Sequence, residues 1–207
     1  HKPFDDARIR QALTLSVDRW GGSKYLSRIA IVKTVGGVVF PKHPLAANMD
    51  ELVKLKGYSK DLNASRAEAK KLLADAGVDK MPGGLNVDFN NRAVDQPYKV
   101  VGTWLIDQWK KVGINATQRV QPSPQFYATL RKKADFDVSV DFNCQSVINP
   151  IADITKFLGS AGNNYGNYED AELEAIYDKI LRSGSESEQR SLIRKYETRA
   201  LSEQAHI

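Results

Sequence analysis

Three short segments in which apolar and polar residues alternate constrain the fold of this chain most strongly. Alternation with a period of two runs through residues 85–90, 114–120 and 136–142, and it is typical of half-buried strands. Helical patterns occupy residues 97–112 and 123–133 between them. Because the connections are short and helical, the order β-α-β-α-β predicts parallel strands in one sheet with helices packed against it.

Amphipathic helices are predicted before and after this alternation. Their apolar residues recur at i, i+3 and i+4, which places them on one helix face. Gly21 and Gly22 are expected to end the first helix, and residues 29–60 predict a loop-rich excursion with room for one short strand. The predicted helices cover residues 5–20, 63–76, 169–183 and 186–204.

Three of the helix starts carry side chains suited to capping. Asn63 and Ser123 are predicted N-caps, and Ser185 and Glu188 have the spacing of a capping box. No internal repeat or low-complexity linker interrupts the chain. The sequence therefore predicts a single α/β domain over residues 1–207, with a mixed, largely parallel sheet flanked by helices.

Charge and motif patterns argue against several classes of partner. The net charge is +5, but the lysine pairs lie near the ends of separate helical patterns, where they complement helix dipoles, so no nucleic-acid partner is predicted. No apolar run approaches the roughly 18 residues of a membrane span. The three histidines lack a second ligand at metal-binding spacing, and no phosphate loop or dinucleotide motif is present. No metal or cofactor is predicted.

Cys144 keeps an enzymatic alternative open. It is the single cysteine of the chain, and a thiol beside a suitable base can act as a nucleophile, so a Cys-dependent enzyme domain is the alternative function. A lone cysteine after a strand is more often packed or lines a pocket. Asp137 and Asp141 fall on the polar face of the third strand and are interpreted as solvated carboxylates. The sequence therefore favours a binding protein over an enzyme.

Polar residues follow all three predicted strands, which favours a binding site. In an open parallel sheet the ligand crevice lies outside the carboxyl ends of the strands, and it needs several convergent hydrogen-bonding groups. Segments 91–96, 121–124 and 143–146 are expected to emerge there, although ordinary polar loops remain the alternative interpretation. The candidate ligand-binding residues are Asn91, Arg92, Gln96, Phe142, Asn143, Cys144, Gln145 and Ser146.

Sequence motifs spread over nearly the whole chain resemble one family. "PFDDARIRQALTLSVDR" at residues 3–19 is similar to the "PFDDVRVRQALNYAIDR" type of segment in the family 5 extracellular solute-binding proteins. These proteins are the dipeptide- and oligopeptide-binding components of ABC importers. Further similar motifs follow in the family's order: "SRAEAKKLLADAG", "WLIDQWKKVGINAT", "FDVSVDFNCQSVINP", "NYGNYEDAELEAIYDKI" and "EQRSLIRKYETRALSEQAHI".

This resemblance implies one lobe of a two-lobe protein. The 207 residues would form the second lobe of a type II periplasmic-binding-protein-like fold, without the first lobe and the leader. The lobe would capture a peptide-like or other small polar solute in an interlobe cleft and deliver it to a membrane permease. The implied location is the periplasm, or the cell exterior with a lipid anchor, and the protein is expected to be a monomer and not an enzyme.

The segment after the third strand departs from the family's pattern. The family typically has W-x-A-D there, with an aromatic residue that packs on a peptide ligand and an Asp that pairs with its α-ammonium. Aligning Pro150 with the family's proline places Asn143 and Ser146 at these two positions. Because a hydroxyl does not neutralise a buried ammonium, the resemblance implies a solute other than an ordinary peptide, such as an opine, an oligosaccharide or a modified amino acid. Arg92 offers an anion a bidentate contact.

Overall fold

The computed structural model describes residues 1–30, 34–132, 135–141 and 149–203. Short helical segments lie at Val78–Lys80, Asp95–Lys99, Ala152–Phe157 and Thr198–Glu203. The helices and strands, in chain order, are α1 (Ala7–Ser16), α2 (Arg19–Leu26), α3 (Met49–Leu52), α4 (Leu62–Asp75), β1 (Leu85–Arg92), α5 (Val100–Lys110), β2 (Ile114–Gln121), α6 (Ser123–Arg131), β3 (Val138–Ser139), α7 (Ala171–Arg182) and α8 (Glu186–Glu197).

The three strands form one parallel sheet in the order β2-β1-β3. Strand β1 is central, and its pairing with β2 runs from Leu85 opposite Ile114 to the strand ends. Helices α5 and α6 are the crossovers from β1 to β2 and from β2 to β3. The predicted parallel β-α-β-α-β order is confirmed. The third strand is shorter than predicted, because ladder pairing covers only Val138 and Ser139.

One face of the sheet is buried under helices α1, α4 and α5. Alternate residues of β1 supply this face, and Phe89 meets Trp109 of α5 edge-on with ring centroids 5.3 Å apart. The indole Nε1 of Trp109 donates to the carbonyl of Leu13 in α1 at 3.3 Å. The buried members of this core are Ile9, Ala12, Leu13, Leu15, Val17, Ala69, Leu73, Val78, Leu85, Val87, Phe89, Leu105, Trp109, Val112 and Ile114.

A second apolar core forms between α7, α8 and the segment around residues 38–58. Tyr196 is its largest fully buried side chain, and its hydroxyl donates to the carbonyl of Ile154 at 2.7 Å. Within the described residues 34–60 the structure contains helix α3 and no strand. The short strand that the sequence analysis allowed for is therefore not found in this part of the chain. The excursion buries Val38, Val39, Leu45, Ala46, Leu52, Leu55 and Tyr58.

The first predicted helix is two helices. Val17 has extended dihedrals and ends α1, and Asp18 caps α2 by accepting a hydrogen bond from Gly21 N at 2.8 Å. The prediction that the two glycines end the helix was therefore wrong. Gly22 lies inside α2, and a Cβ there would sit 2.2 Å from the ring of Trp104, so the packing of Trp104 against the helix favours glycine at this position.

Helix caps differ from the predictions by one or two residues. Asp61 rather than Asn63 caps α4, and Pro122 rather than Ser123 precedes α6. Ser185 caps α8 as predicted, but the Glu188 carboxylate accepts from Gly184 N and not from Ser185 N. Within the described ranges, no helix combines the length and apolarity that crossing a membrane requires.

Candidate ligand-binding site

The carboxyl ends of all three strands lie at one edge of the sheet. Arg92, the last residue of β1, is in register with Gln121, the last residue of β2, and Ser139 of β3 is opposite Asn90. Asp141 follows β3 at the same edge. The predicted candidates Phe142, Asn143, Cys144, Gln145 and Ser146 lie outside the described residues.

Arg92 is held in place by a hydroxyl group and two aromatic rings. Its Nε donates to Ser123 Oγ at 2.7 Å, and its Nη1 donates to the Tyr98 hydroxyl at 3.4 Å. The guanidinium carbon lies 5.2 Å from the ring centroid of Tyr98 and 5.5 Å from that of Tyr127, which are cation–π distances. The hydrogen bond with Tyr98 raises the pKa of Arg92. Nη2 makes no hydrogen bond within the described part of the chain.

Asp141 is linked to Arg92 through Tyr98. The Tyr98 hydroxyl, which accepts from Arg92, donates to Asp141 Oδ1 at 3.4 Å. Burial raises the pKa of Tyr127 to about 12, and the negative charge of Asp141 adds to this shift. The two tyrosines flank Phe126 of α6, with ring centroids 6.1 and 5.1 Å from it. An aromatic wall from α6 and the turn before α5 therefore surrounds a chain of polar groups.

Lys156 belongs to the same electrostatic environment. It lies in the turn Ala152–Phe157, half-buried, with its ammonium 5.3 Å from the ring centroid of Phe157. Burial lowers the pKa of Lys156, and the negative charge of Asp141 opposes this change. Within the described residues, the ammonium makes no hydrogen bond and no ion pair.

Asn91 is buried and fully hydrogen bonded. Its Nδ2 donates to Tyr98 O at 2.8 Å and to Gln118 Oε1 at 2.5 Å, while its Oδ1 accepts from Arg92 N at 2.8 Å. The side chain thus fixes the end of β1 relative to β2 and to the turn that carries Tyr98. Gln96 is exposed in the same turn, with extended dihedrals. The structure brings Asn91, Arg92 and Gln96 to one edge.

Sequence reasoning missed the two tyrosines beside Arg92, and it missed Lys156, whose pKa is affected by the charge of Asp141. Tyr98 and Tyr127 belong to helical patterns whose apolar stripes explain them as core, and Lys156 lies in a turn without periodicity. Asp141 was interpreted as a solvated carboxylate; it is exposed but bonded to Tyr98. One sequence signal could have pointed to Tyr127: it lies in the first turns of the helix that follows β2, close to the carboxyl end of that strand.

Residues 1–165 match the family model described as "Bacterial extracellular solute-binding proteins, family 5 Middle". The chain belongs to this family. It is 27% identical over 203 residues to the periplasmic oligopeptide-binding protein OppA of Escherichia coli K12, and 27% identical over 191 residues to OppA of Haemophilus influenzae. These matches cover 94% and 86% of this chain but 35% and 32% of the relatives. The chain thus spans about a third of their length.

Solved structures of family proteins share the fold. The Escherichia coli murein tripeptide-binding protein MppA superposes with a TM-score of 0.77 at 16% identity, over 99% of this chain and 39% of that one. Haemophilus influenzae OppA in complex with the peptide RPPGFSPFR gives a TM-score of 0.74 at 21% identity, over 99% and 39%. The α/β chain with its parallel sheet and flanking helices therefore has the type II periplasmic-binding-protein-like fold that was expected.

Proposed function

We propose that this chain is the second lobe of the substrate-binding component of an ABC importer. In this proposal it captures a peptide-like or other small polar solute in a cleft against a first lobe and delivers it to a membrane permease. Hinge closure of the two lobes around the solute would present the closed form to that permease. The proposed location is the periplasm or, with a lipid anchor, the cell exterior, and the proposed state is a monomer without enzymatic activity.

The observation that carries this proposal is the edge where the three parallel strands end in a family 5 chain. Arg92 stands there on a rigid strand, fixed by Ser123 and two tyrosines, with Nη2 directed to no group of the described chain. Binding sites of this kind need a few preorganised polar groups on a firm scaffold. We assign direct solute contacts to Arg92 and Gln96, and to Asn91 the positioning of both.

We propose that the remaining wall is formed by Phe142, Asn143, Cys144, Gln145 and Ser146, on the strength of their place in the sequence. Because Ser146 replaces the family's Asp, the solute is expected to lack a free α-ammonium. A desolvated ammonium without a counter-charge would cost several kcal/mol, of the order known for unpaired buried ions.

Isothermal titration of the full-length protein tests this function. The panel comprises unmodified peptides of two to five residues, the same peptides N-acetylated, opines and oligosaccharides. At least one N-blocked or non-peptide class is expected to bind, whereas unmodified peptides are not. Tight binding of unmodified peptides would refute the solute class, and the absence of binding by every class would refute the function.

The variant Ser146→Asp tests whether the missing carboxylate is the reason why unmodified peptides are excluded. It restores the carboxylate that the family carries, so binding of unmodified peptides is expected to strengthen at least tenfold, which corresponds to about 1.4 kcal/mol. The matched control is Ser146→Asn, which has similar volume and no charge and should give no gain. Equal gains in both variants would show that the charge is not the cause.

A further inference from the structure

The guanidinium group of Arg92 is anchored through two of its nitrogen atoms. Nε donates to Ser123 Oγ at 2.7 Å, and Nη1 donates to the Tyr98 hydroxyl at 3.4 Å. Because the guanidinium is planar, these two anchors together fix its plane and its rotation about the Nε–Cζ bond. The bond from Nε alone would leave this rotation free. The direction in which Nη2 points therefore depends on the bond to Tyr98.

The Tyr98 hydroxyl can form its two bonds in only one direction. Its oxygen accepts from Arg92 Nη1, and its single proton is donated to Asp141 Oδ1 at 3.4 Å. An arginine can only donate and an ionised aspartate can only accept, so neither bond can be reversed. Both bonds are long, but bonds that share a hydroxyl group polarise and strengthen each other. Asp141, Tyr98 and Arg92 thus form a hydrogen-bonded relay with a fixed direction.

We propose that Tyr98 and Asp141 are positioning residues, which hold Arg92 in its binding orientation before a solute arrives. Asp141 acts through the Tyr98 hydroxyl and needs no contact with the solute. This inference rests on the proposed function, in which Arg92 contacts the solute, and it adds the two residues that set the direction of that contact. A side chain that is already oriented loses less conformational entropy when it binds.

The relay also connects the ends of the three strands. Arg92 ends β1, Ser123 begins the helix that follows β2, and Asp141 follows β3. Tyr98 lies in the turn before α5 and joins the first of these ends to the third. The orientation of Arg92 is therefore expected to respond to a change at the end of β3, although no bond joins Arg92 directly to Asp141.

Nitrogen-15 NMR of the arginine side chains in the 207-residue chain measures this positioning without a solute. Rotation about the Nε–Cζ bond exchanges Nη1 and Nη2, so the exchange rate of Arg92 reports whether Nη1 is held. Tyr98→Phe removes the hydroxyl but keeps the ring, whose centroid lies 5.2 Å from the guanidinium carbon. The rate is expected to rise about threefold or more in Tyr98→Phe and in Asp141→Asn, because each loses or weakens one hydrogen bond of the relay.

The double variant shows whether Asp141 acts through Tyr98. In Tyr98→Phe the carboxylate has no hydroxyl to orient, so the addition of Asp141→Asn is expected to change the exchange rate of Arg92 no further. Independent effects would instead multiply. Asp95→Asn is the matched control for charge, because the Asp95 carboxylate is paired with Lys99 at 2.5 Å. It should leave the rate unchanged.

Tyr165→Phe is the matched control for the loss of a hydroxyl group. Tyr165 packs against the same aromatic cluster as Tyr98, and its hydroxyl makes no hydrogen bond within the described residues. The exchange rate of Arg92 should therefore stay unchanged in this variant. Backbone NMR spectra verify that each variant is folded.

Any of four results would overturn the inference. The first two are an unchanged exchange rate in folded Tyr98→Phe and an unchanged rate in folded Asp141→Asn. The third is a pair of effects that multiply in the double variant, and the fourth is an equal rise in Asp95→Asn, which charge alone would explain. The proposed function fails separately, if the full-length protein binds no solute class in calorimetry. The exchange rates would still decide whether the relay holds Arg92.

Discussion

Asn90 has an exceptional environment at the scale of single residues. Its side chain is fully buried, and neither Nδ2 nor Oδ1 has a hydrogen-bond partner among the residues that the structure describes. It projects from the face of β1 that also carries Arg92, opposite the face of Phe89. A buried amide without partners costs roughly 1–3 kcal/mol, so this position lowers stability.

Replacing Asn90 with an apolar residue of similar size is expected to stabilise the protein. Asn90→Leu should raise the free energy of unfolding by about 1–2 kcal/mol, because it removes the desolvated amide and adds apolar contact. Urea denaturation measures this change. The control is Asn86→Leu on the same strand face, where the residue is exposed and no gain is expected. A loss of stability in Asn90→Leu would mean that an ordered water satisfies the amide.

At the scale of elements, the close approach of α5 to the sheet sets the geometry of the site. A Cβ on Gly102 would lie 2.1 Å from Gln118 Oε1 and 2.4 Å from Asn91 Nδ2. Gly102 therefore makes room for the amide pair that fixes the end of β1. Glycine is retained in the helix interior although alanine has a higher helix propensity by about 1 kcal/mol.

The variant Gly102→Ala is expected to destabilise the protein despite that propensity. The new methyl group would push Asn91 and Gln118 apart, and overpacking of this kind costs about 1–3 kcal/mol. The measurement is the urea midpoint together with the NMR signals of the Asn91 side-chain amide, which should shift. Gly184→Ala serves as the control, because no atom lies within 4 Å of a Cβ there. Unchanged stability in Gly102→Ala would contradict the close-packing argument.

Sequence patterns predicted the elements well where burial decides the residue type. The alternation in β1 and β2 reflects one covered face, and parallel pairing followed from the crossovers. The break between α1 and α2 was missed because Val17 continues the apolar spacing while its backbone is extended. Caps were displaced because Asp61 and Asn63 are both good capping residues two positions apart.

The site was predictable only in part. The place of Arg92 at a strand end follows from topology, but its tyrosine neighbours come from two different helical segments. Tyr98 and Tyr127 reach Arg92 through packing of side chains, which periodicity does not encode. Lys156 lies in a turn far along the chain, so no local pattern could associate it with Asp141, whose charge affects its pKa.

At the scale of the whole molecule, two apolar cores are joined by polar contacts. Lys56 Nζ donates to Gln11 Oε1 at 3.3 Å, and Gln11 Nε2 donates to Glu203 O at 3.1 Å. Ion pairs also tie the second core together. Arg190 of α8 holds Glu51 of α3 with two bonds, at 2.7 and 2.6 Å.

This ion pair predicts acid sensitivity. Hydrogen bonding to Arg190 lowers the pKa of Glu51 from 4.5 to about 2, although burial opposes the shift. Because the folded pKa is below the unfolded value, the stabilisation is complete above about pH 5 and is lost as the pH falls toward 2. Glu51→Gln is expected to lose on the order of 2 kcal/mol at pH 7 and to show a flatter decline in acid.

Chemical denaturation between pH 7 and pH 2 measures this dependence. Burial raises the pKa of Glu197, which lies in the same network, so its protonation changes stability in the opposite direction. Glu186→Gln, an exposed position at the start of α8, is the control and should keep the original profile. A Glu51→Gln profile that is parallel to the original would exclude Glu51 as the source.

The alternation of side chains along β1 separates residues that must fit the apolar core from residues that do not. One face of β1 packs against the helices and is formed by Leu85, Val87 and Phe89. Asn90 and Arg92 lie on the opposite face. Substitutions at Arg92 can therefore change the strand-end edge without repacking the first set. A single strand thus holds a fixed type of packing on one side and leaves the composition of its outer end open to variation on the other.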